Sequence, residues 1–120
     1  MAVSGSFLAF VLDQVAALPR VSSRRMFGGV GLYSDGVFFG LIDDDTMYLK
    51  VDDETRPAFE EAGSGPFRPY ADRPEAVMKS YYAVPTSVLE DRDELAAWAR
   101  RAVEVGRVTG RTSRPRRTRR

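Results

Sequence analysis

Residues 29–42 read Gly29-Val30-Gly31-Leu32-Tyr33-Ser34-Asp35-Gly36-Val37-Phe38-Phe39-Gly40-Leu41-Ile42, two apolar runs joined by Asp-Gly. A type I′ turn needs left-handed backbone at both central positions, and Asp followed by Gly accepts it, so the stretch predicts a β-hairpin. A two-residue loop pairs Ser34 with Val37, Tyr33 with Phe38, Leu32 with Phe39, Gly31 with Gly40, Val30 with Leu41 and Gly29 with Ile42. Asp43-Asp44-Asp45 marks a second turn. Centred on Asp44-Asp45, it pairs Ile42 with Met47, Gly40 with Leu49 and Phe38 with Val51.

Side chains alternate across a strand. One face is therefore expected to hold Tyr33, Phe38, Ile42, Met47, Leu49 and Val51 around Gly29, Gly31 and Gly40. The other holds Val30, Leu32, Phe39, Leu41, Tyr48 and Lys50. Three clustered glycines signal close approach to the backbone, by a helix bedded on the first face or, as the alternative, by a ligand. The second face then exposes Val30, Leu32, Phe39, Leu41 and Tyr48 as an apolar patch, larger than a monomer ordinarily leaves uncovered. A two-fold homodimer is the expected cover.

Outward from the hairpin, Phe7, Leu8, Val11, Leu12, Val15 and Leu18 recur at helical spacing, with Ser4 or Ser6 as N-cap and Pro19 beyond the end. A short helix is predicted from Asp53 to Ala62, capped by Asp52 or Asp53 and ended by Gly63. Residues 66–74 read as irregular, and two short strands follow at Ala76–Lys79 and Tyr81–Val84. The last helix runs to about Val105 with Leu95, Trp98, Ala99 and Ala102 on one face. The order is α-βββ-α-ββ-α, an α+β domain with helices layered on an antiparallel sheet.

The net charge of +1 conceals a division. Arg107, Arg111, Arg114, Arg116, Arg117, Arg119 and Arg120 are seven basic residues with no acid among them. Removing these seven from the eighteen leaves eleven basic against seventeen acidic residues, a net charge of −6 over residues 1–106. With no large apolar residue after Val108, the tail cannot offset its ordering entropy by burial. Residues 1–106 are thus expected to form the domain and 107–120 a disordered arginine-rich tail. Arg111, Arg114, Arg116, Arg117, Arg119 and Arg120 are its candidate contacts to DNA or RNA phosphates.

Composition excludes several chemistries. Histidine and cysteine are both absent, which removes His-based triads, imidazole ligands, thiolate metal sites and disulfides. The carboxylates at 43–45 and 52–54 lack an Asp-x-Asp-x-Asp-Gly loop and read as turns and a helix cap. Gly28, Gly29 and Gly31 lie within a strand, not between a strand and a helix, and no Gly-Lys-Ser/Thr is present, so they are not a phosphate cradle. Lys79 and Ser80 point to opposite faces of a strand and cannot act as a nucleophile pair. Arg20, Arg24 and Arg25 read as solvated surface, and Tyr81, Tyr82 and Trp98 as core or interface residues. No catalytic, cofactor or metal site is expected. The first dozen residues have no basic start, and no apolar run approaches the roughly 20 residues of a membrane span, so the expectation is a soluble cytoplasmic protein.

Met-Phe-Gly-Gly-x-Gly-Leu-Tyr at 26–33, followed near the end by Tyr81-Tyr82-x-Val84-Pro85 and Leu89-x-Asp91, resembles the TfoX N-terminal domain family over about Phe7 to Val105. The resemblance implies a two-layer α+β domain similar in broad architecture to type III secretion chaperones. It implies a non-enzymatic regulatory or adaptor module acting through protein contacts. Better-known relatives promote transcription of DNA-uptake genes, in some bacteria with the cyclic-AMP receptor protein. Those relatives carry a second, helical domain where this sequence carries the arginine tail.

Overall fold

The computed structural model describes residues 3–26, 28–70, 72–73 and 75–113, with side-chain surroundings through residue 109. Ten elements follow in order: α1 (Gly5–Gln14), β1 (Val21–Met26), β2 (Gly29–Ser34), β3 (Val37–Asp43), β4 (Thr46–Lys50), α2 (Arg56–Glu61), β5 (Pro66–Phe67), β6 (Met78–Ala83), α3 (Thr86–Leu89) and α4 (Arg92–Ser113). The strands form one antiparallel sheet in the order β1-β2-β3-β4-β6-β5. The α+β arrangement is the one read from sequence, with one strand more at the front.

That extra strand is β1. Its Val-Ser-Ser-Arg-Arg-Met sequence shows no apolar alternation because it lies at the edge, with Ser22 to Arg25 all exposed. Polar and charged residues on an edge discourage pairing with other chains. Gly28, at φ +82°, separates β1 from β2. Asp35 and Gly36 both take positive φ, and so do Asp44 and Asp45 at +52°, which makes both short turns the left-handed kind expected.

The hairpin register holds at Ser34–Val37 and Tyr33–Phe38 and then shifts. A bulge between Leu32 and Tyr33 moves Leu32 opposite Gly40, Gly31 opposite Leu41 and Val30 opposite Ile42. One extra residue on β3 reverses the facing of everything beyond it. The pairing of β3 with β4 is as read, Ile42 with Met47 and Gly40 with Leu49.

The consequence corrects the assignment of faces. Val30, Leu32, Phe39, Ile42, Met47, Leu49 and Tyr82 are buried together beneath the helices, joined by Val11, Val15, Leu95 and Ala99. Phe59 of α2 packs edge-on against Trp98 of α4 at 4.8 Å within the same layer. Gly29 and Gly31 lie on the opposite face; a Cβ on Gly31 would stand 2.7 Å from the Met26 methyl and 3.0 Å from the Phe38 ring. The close approach of helix to sheet comes instead at Gly106 of α4. A Cβ on Gly106 would strike the Phe38 carbonyl, so the two backbones touch there.

Other boundaries also differ from the sequence reading, among them α2, whose cap position is Thr55 rather than Asp52 or Asp53. β6 is one continuous strand where two short ones were expected, and β5 arises from residues read as irregular. Helix α4 continues through Ser113 past the expected end at Val105, with Arg107 paired to Glu104 at 2.7 Å. The expected tail, residues 107–120, thus lies partly in α4 and partly outside the described residues. Residues 114–120 lie outside the described residues. Among those described, no helix is long and apolar enough to cross a membrane.

Candidate functional site: the open face of the sheet

The helices cover one face of the sheet and leave the other open. On this open face a row of rings runs across the strands. The Tyr33 ring centroid is 5.3 Å from Phe38, and Phe38 is 5.9 Å from Tyr81, both edge-on. Edge-to-face contact aligns a ring's positive rim with its neighbour's negative face. Cations bracket the row. The Arg24 guanidinium sits 5.8 Å from the Tyr33 centroid, and Lys50 Nζ lies 4.9 Å from that of Tyr81 while donating to its hydroxyl at 3.2 Å. Tyr48 stacks on Phe67 at 4.9 Å one step along the face. Burial, together with the negative charges of Asp43 and Asp44, pushes the Tyr48 hydroxyl's pKa up.

Residues 67–70 and 76–78 border part of this face. Between them and the strands runs an apolar groove of about 670 Å³, with Phe38 and Leu41 on its floor and Phe67, Met78 and Tyr81 along its side. This feature was not readable in the sequence. Its roof comes from residues without periodicity, and its floor depends on the bulge.

The five residues expected to form one exposed patch are split between the faces. Val30, Leu32 and Phe39 are in the core at 1% exposure or less, whereas Leu41 and Tyr48 are half-buried on the open face. Of the tail arginines, Arg111 falls within α4, and Arg114, Arg116, Arg117, Arg119 and Arg120 lie outside the described residues.

The acidic clusters have structural work. Asp45 accepts from the Ser4 backbone N–H at 2.7 Å, tying the start of α1 to the second turn. Ser4 in turn caps α1 by accepting from Phe7 N–H at 3.2 Å. Asp52 accepts from the backbone N–H groups of Glu54 and Thr55, and the Thr55 bond leads in holding its carboxyl below the usual range. Asp53 binds Arg56 at 2.8 Å, and Arg20 lies 3.6 Å from Asp35. Tyr82 donates to Glu60 at 3.0 Å from within the core, and burial first, then that bond, raises its pKa. Trp98 is part of the helix layer. Arg24 is exposed, as read, and flanks the row at Tyr33, while Tyr81 stands at the row's other end.

Fold and face together define a two-layer α+β domain with an aromatic, cation-bracketed open sheet. The family model of the TfoX N-terminal domain matches residues 13–106, and the chain belongs to that family. It is 39% identical over 54 residues to the DNA transformation protein TfoX1 of Aliivibrio fischeri, covering 45% of this chain and 26% of that protein. It is 40% identical over 65 residues to a 12.7 kDa protein in the trpE 5′ region of Spirochaeta aurantia, covering 54% of this chain and 56% of that one. The matches thus span about a quarter and just over half the length of these relatives.

Proposed function

We propose that the chain is a non-enzymatic regulatory adaptor of the cytoplasm, acting in the control of DNA uptake or related transcription through protein contacts. Family membership and the likeness to a DNA transformation protein support the regulatory part. The observation that carries the contact surface is the ring row ending at Arg24 and Tyr33, on the side of the sheet bounded by the free edge of β1. Half-buried rings with a guanidinium beside them are the residue types that anchor protein interfaces. Self-association into a homodimer would use this same end of the face.

A photoreactive phenylalanine analogue at Tyr33, irradiated in the cells that express the chain, tests this reading. The expected result is one discrete crosslinked species, of doubled mass for a homodimer or of a new mass for a second protein. The same analogue at Phe10, exposed on α1, should leave the chain monomeric. Identical patterns from the two positions would remove the reading.

A second reading, nonspecific nucleic-acid binding, is favoured by the interleaving of cations and rings. Bases stack on aromatic rings while cations hold phosphates, and such binding weakens with salt. It expects single-stranded DNA affinity to fall when Arg24 is replaced by Ala or when the chain is ended at Ser113. Equal affinity in all three proteins would dismiss it.

A further inference from the structure

The groove bordered by residues 67–70 and 76–78 has a size and chemistry of its own. Its volume of about 670 Å³ falls within the roughly 300–1,000 Å³ typical of small-molecule sites. Its lining presents rings and aliphatic groups, with Met26 and Met78 at the sides. Methionine is flexible and polarisable, and closes on ligands of varied outline. Two of the large apolar side chains that the fold leaves exposed, Tyr70 at 55% and Met78 at 42%, line this same groove.

Charge limits what can fill it. Among the described residues Asp43 is the one charged residue of the lining, and the Lys50 ammonium, of opposite sign, sits 3.2 Å from the Tyr81 oxygen. A ligand of either charge thus meets one like and one opposite charge, and gains little to offset its desolvation. The polar feature is Tyr81. Lys50 carries only donors, so the 3.2 Å bond occupies the Tyr81 oxygen as acceptor and leaves its proton free for another partner. We propose that this groove binds an uncharged, ring-bearing small molecule whose hydrogen-bond acceptor, a carbonyl or ether oxygen, meets the Tyr81 hydroxyl. The site stands apart from the adaptor reading and does not require it.

Nile red, an uncharged fused-ring dye with a ring carbonyl, is the first probe, and its fluorescence rise on entering an apolar site is the readout. The full chain should bind it saturably at one dye per protein. Leu41→Trp fills the floor and Ala76→Trp the roof, and each should weaken binding at least about tenfold, the loss of most apolar contact in a small site. Ala76 lies outside the helices and strands, so that variant tests the site even if Leu41→Trp does not fold.

Competition then sharpens the chemistry. 4-Phenyl-2-butanone should displace the dye better than butylbenzene, 3-phenylpropylammonium or 3-phenylpropanoate. Tyr81→Phe should weaken the ketone about threefold to tenfold, as expected for one hydrogen bond, and leave butylbenzene unchanged. Dye affinity unaltered in both filled variants, or no saturable binding, would overturn the site. So would stronger competition by either ion. A wild-type dimer that becomes monomeric in Ala76→Trp by light scattering would overturn it as well, by placing a second copy in the groove.

Discussion

The two faces of the sheet are built from nearly the same residue types and behave differently. Under the helices, Leu32, Phe39, Ile42 and Leu49 are sealed, with no exposure at all. On the other side Tyr33, Phe38, Leu41, Tyr48 and Tyr81 remain half-buried, held in place by one another and by cations rather than by a second layer. The helix face is a core, where complementarity decides stability. The open face keeps apolar area at the surface, the condition that marks interaction sites. Composition alone does not separate the two. Register does.

The largest expected effect tests that contrast directly. Phe39→Asp places an unpaired charge in the sealed layer and should remove about 4 kcal/mol or more of stability, enough to unfold many domains of this size. Leu41→Asp, two residues along, should stay folded with a melting point lowered by only a few degrees. Equal losses in chemical denaturation would show that both faces are core.

The glycines offer a finer test. A Cβ at Gly40 meets the Tyr48 backbone carbonyl, which cannot retreat without parting the strands, so Gly40→Ala should cost about 1–3 kcal/mol. A Cβ at Gly31 meets the end of the flexible Met26 side chain, and Gly31→Ala should cost under about 1 kcal/mol. Urea midpoints of the two variants rank them. The reverse order would place the rigid contact on the open face.

Smaller still is the contribution of Asp52, which holds the turn into α2. Its carboxyl pKa is lowered in the folded chain, so its stabilisation is present above the ordinary value of 3.8 and is lost as pH falls through the lower folded value. Asp52→Ala should therefore cost about 1 kcal/mol at neutral pH. The gap from the wild type should close in acid below that folded value. A gap that persists there would assign the effect to packing. The smallest effect is expected at α4, where Glu104→Gln removes the exposed pair with Arg107 and should change stability by under about 0.5 kcal/mol.

The sequence made the domain class, both left-handed turns, the Ser4 cap and the β3–β4 register legible, because each rests on a local signal. The Asp35-Gly36 and Asp44-Asp45 pairs carry their backbone requirement in their residue types. The family was legible from two short motifs at either end of the domain. The faces were not, because a bulge leaves no mark in apolar alternation when Phe38 and Phe39 are equally suited to either side. β1 was hidden by its edge position, which selects for Ser and Arg rather than for Val and Ile. The groove was hidden twice over, by the misplaced register of its floor and by a roof without periodicity. The extension of α4 was masked by a composition that suits solvent equally well as helix or coil.

That extension makes α4 a spacer of fixed length. Its 22 residues span about 33 Å, and the seven beyond Gly106, where the helix touches β3, advance the chain about 10 Å further. The point at which the chain leaves α4, Ser113, is thus held at a set distance and a set azimuth relative to the sheet. Each residue inserted into this segment would turn the exit direction by about 100° while leaving the domain untouched.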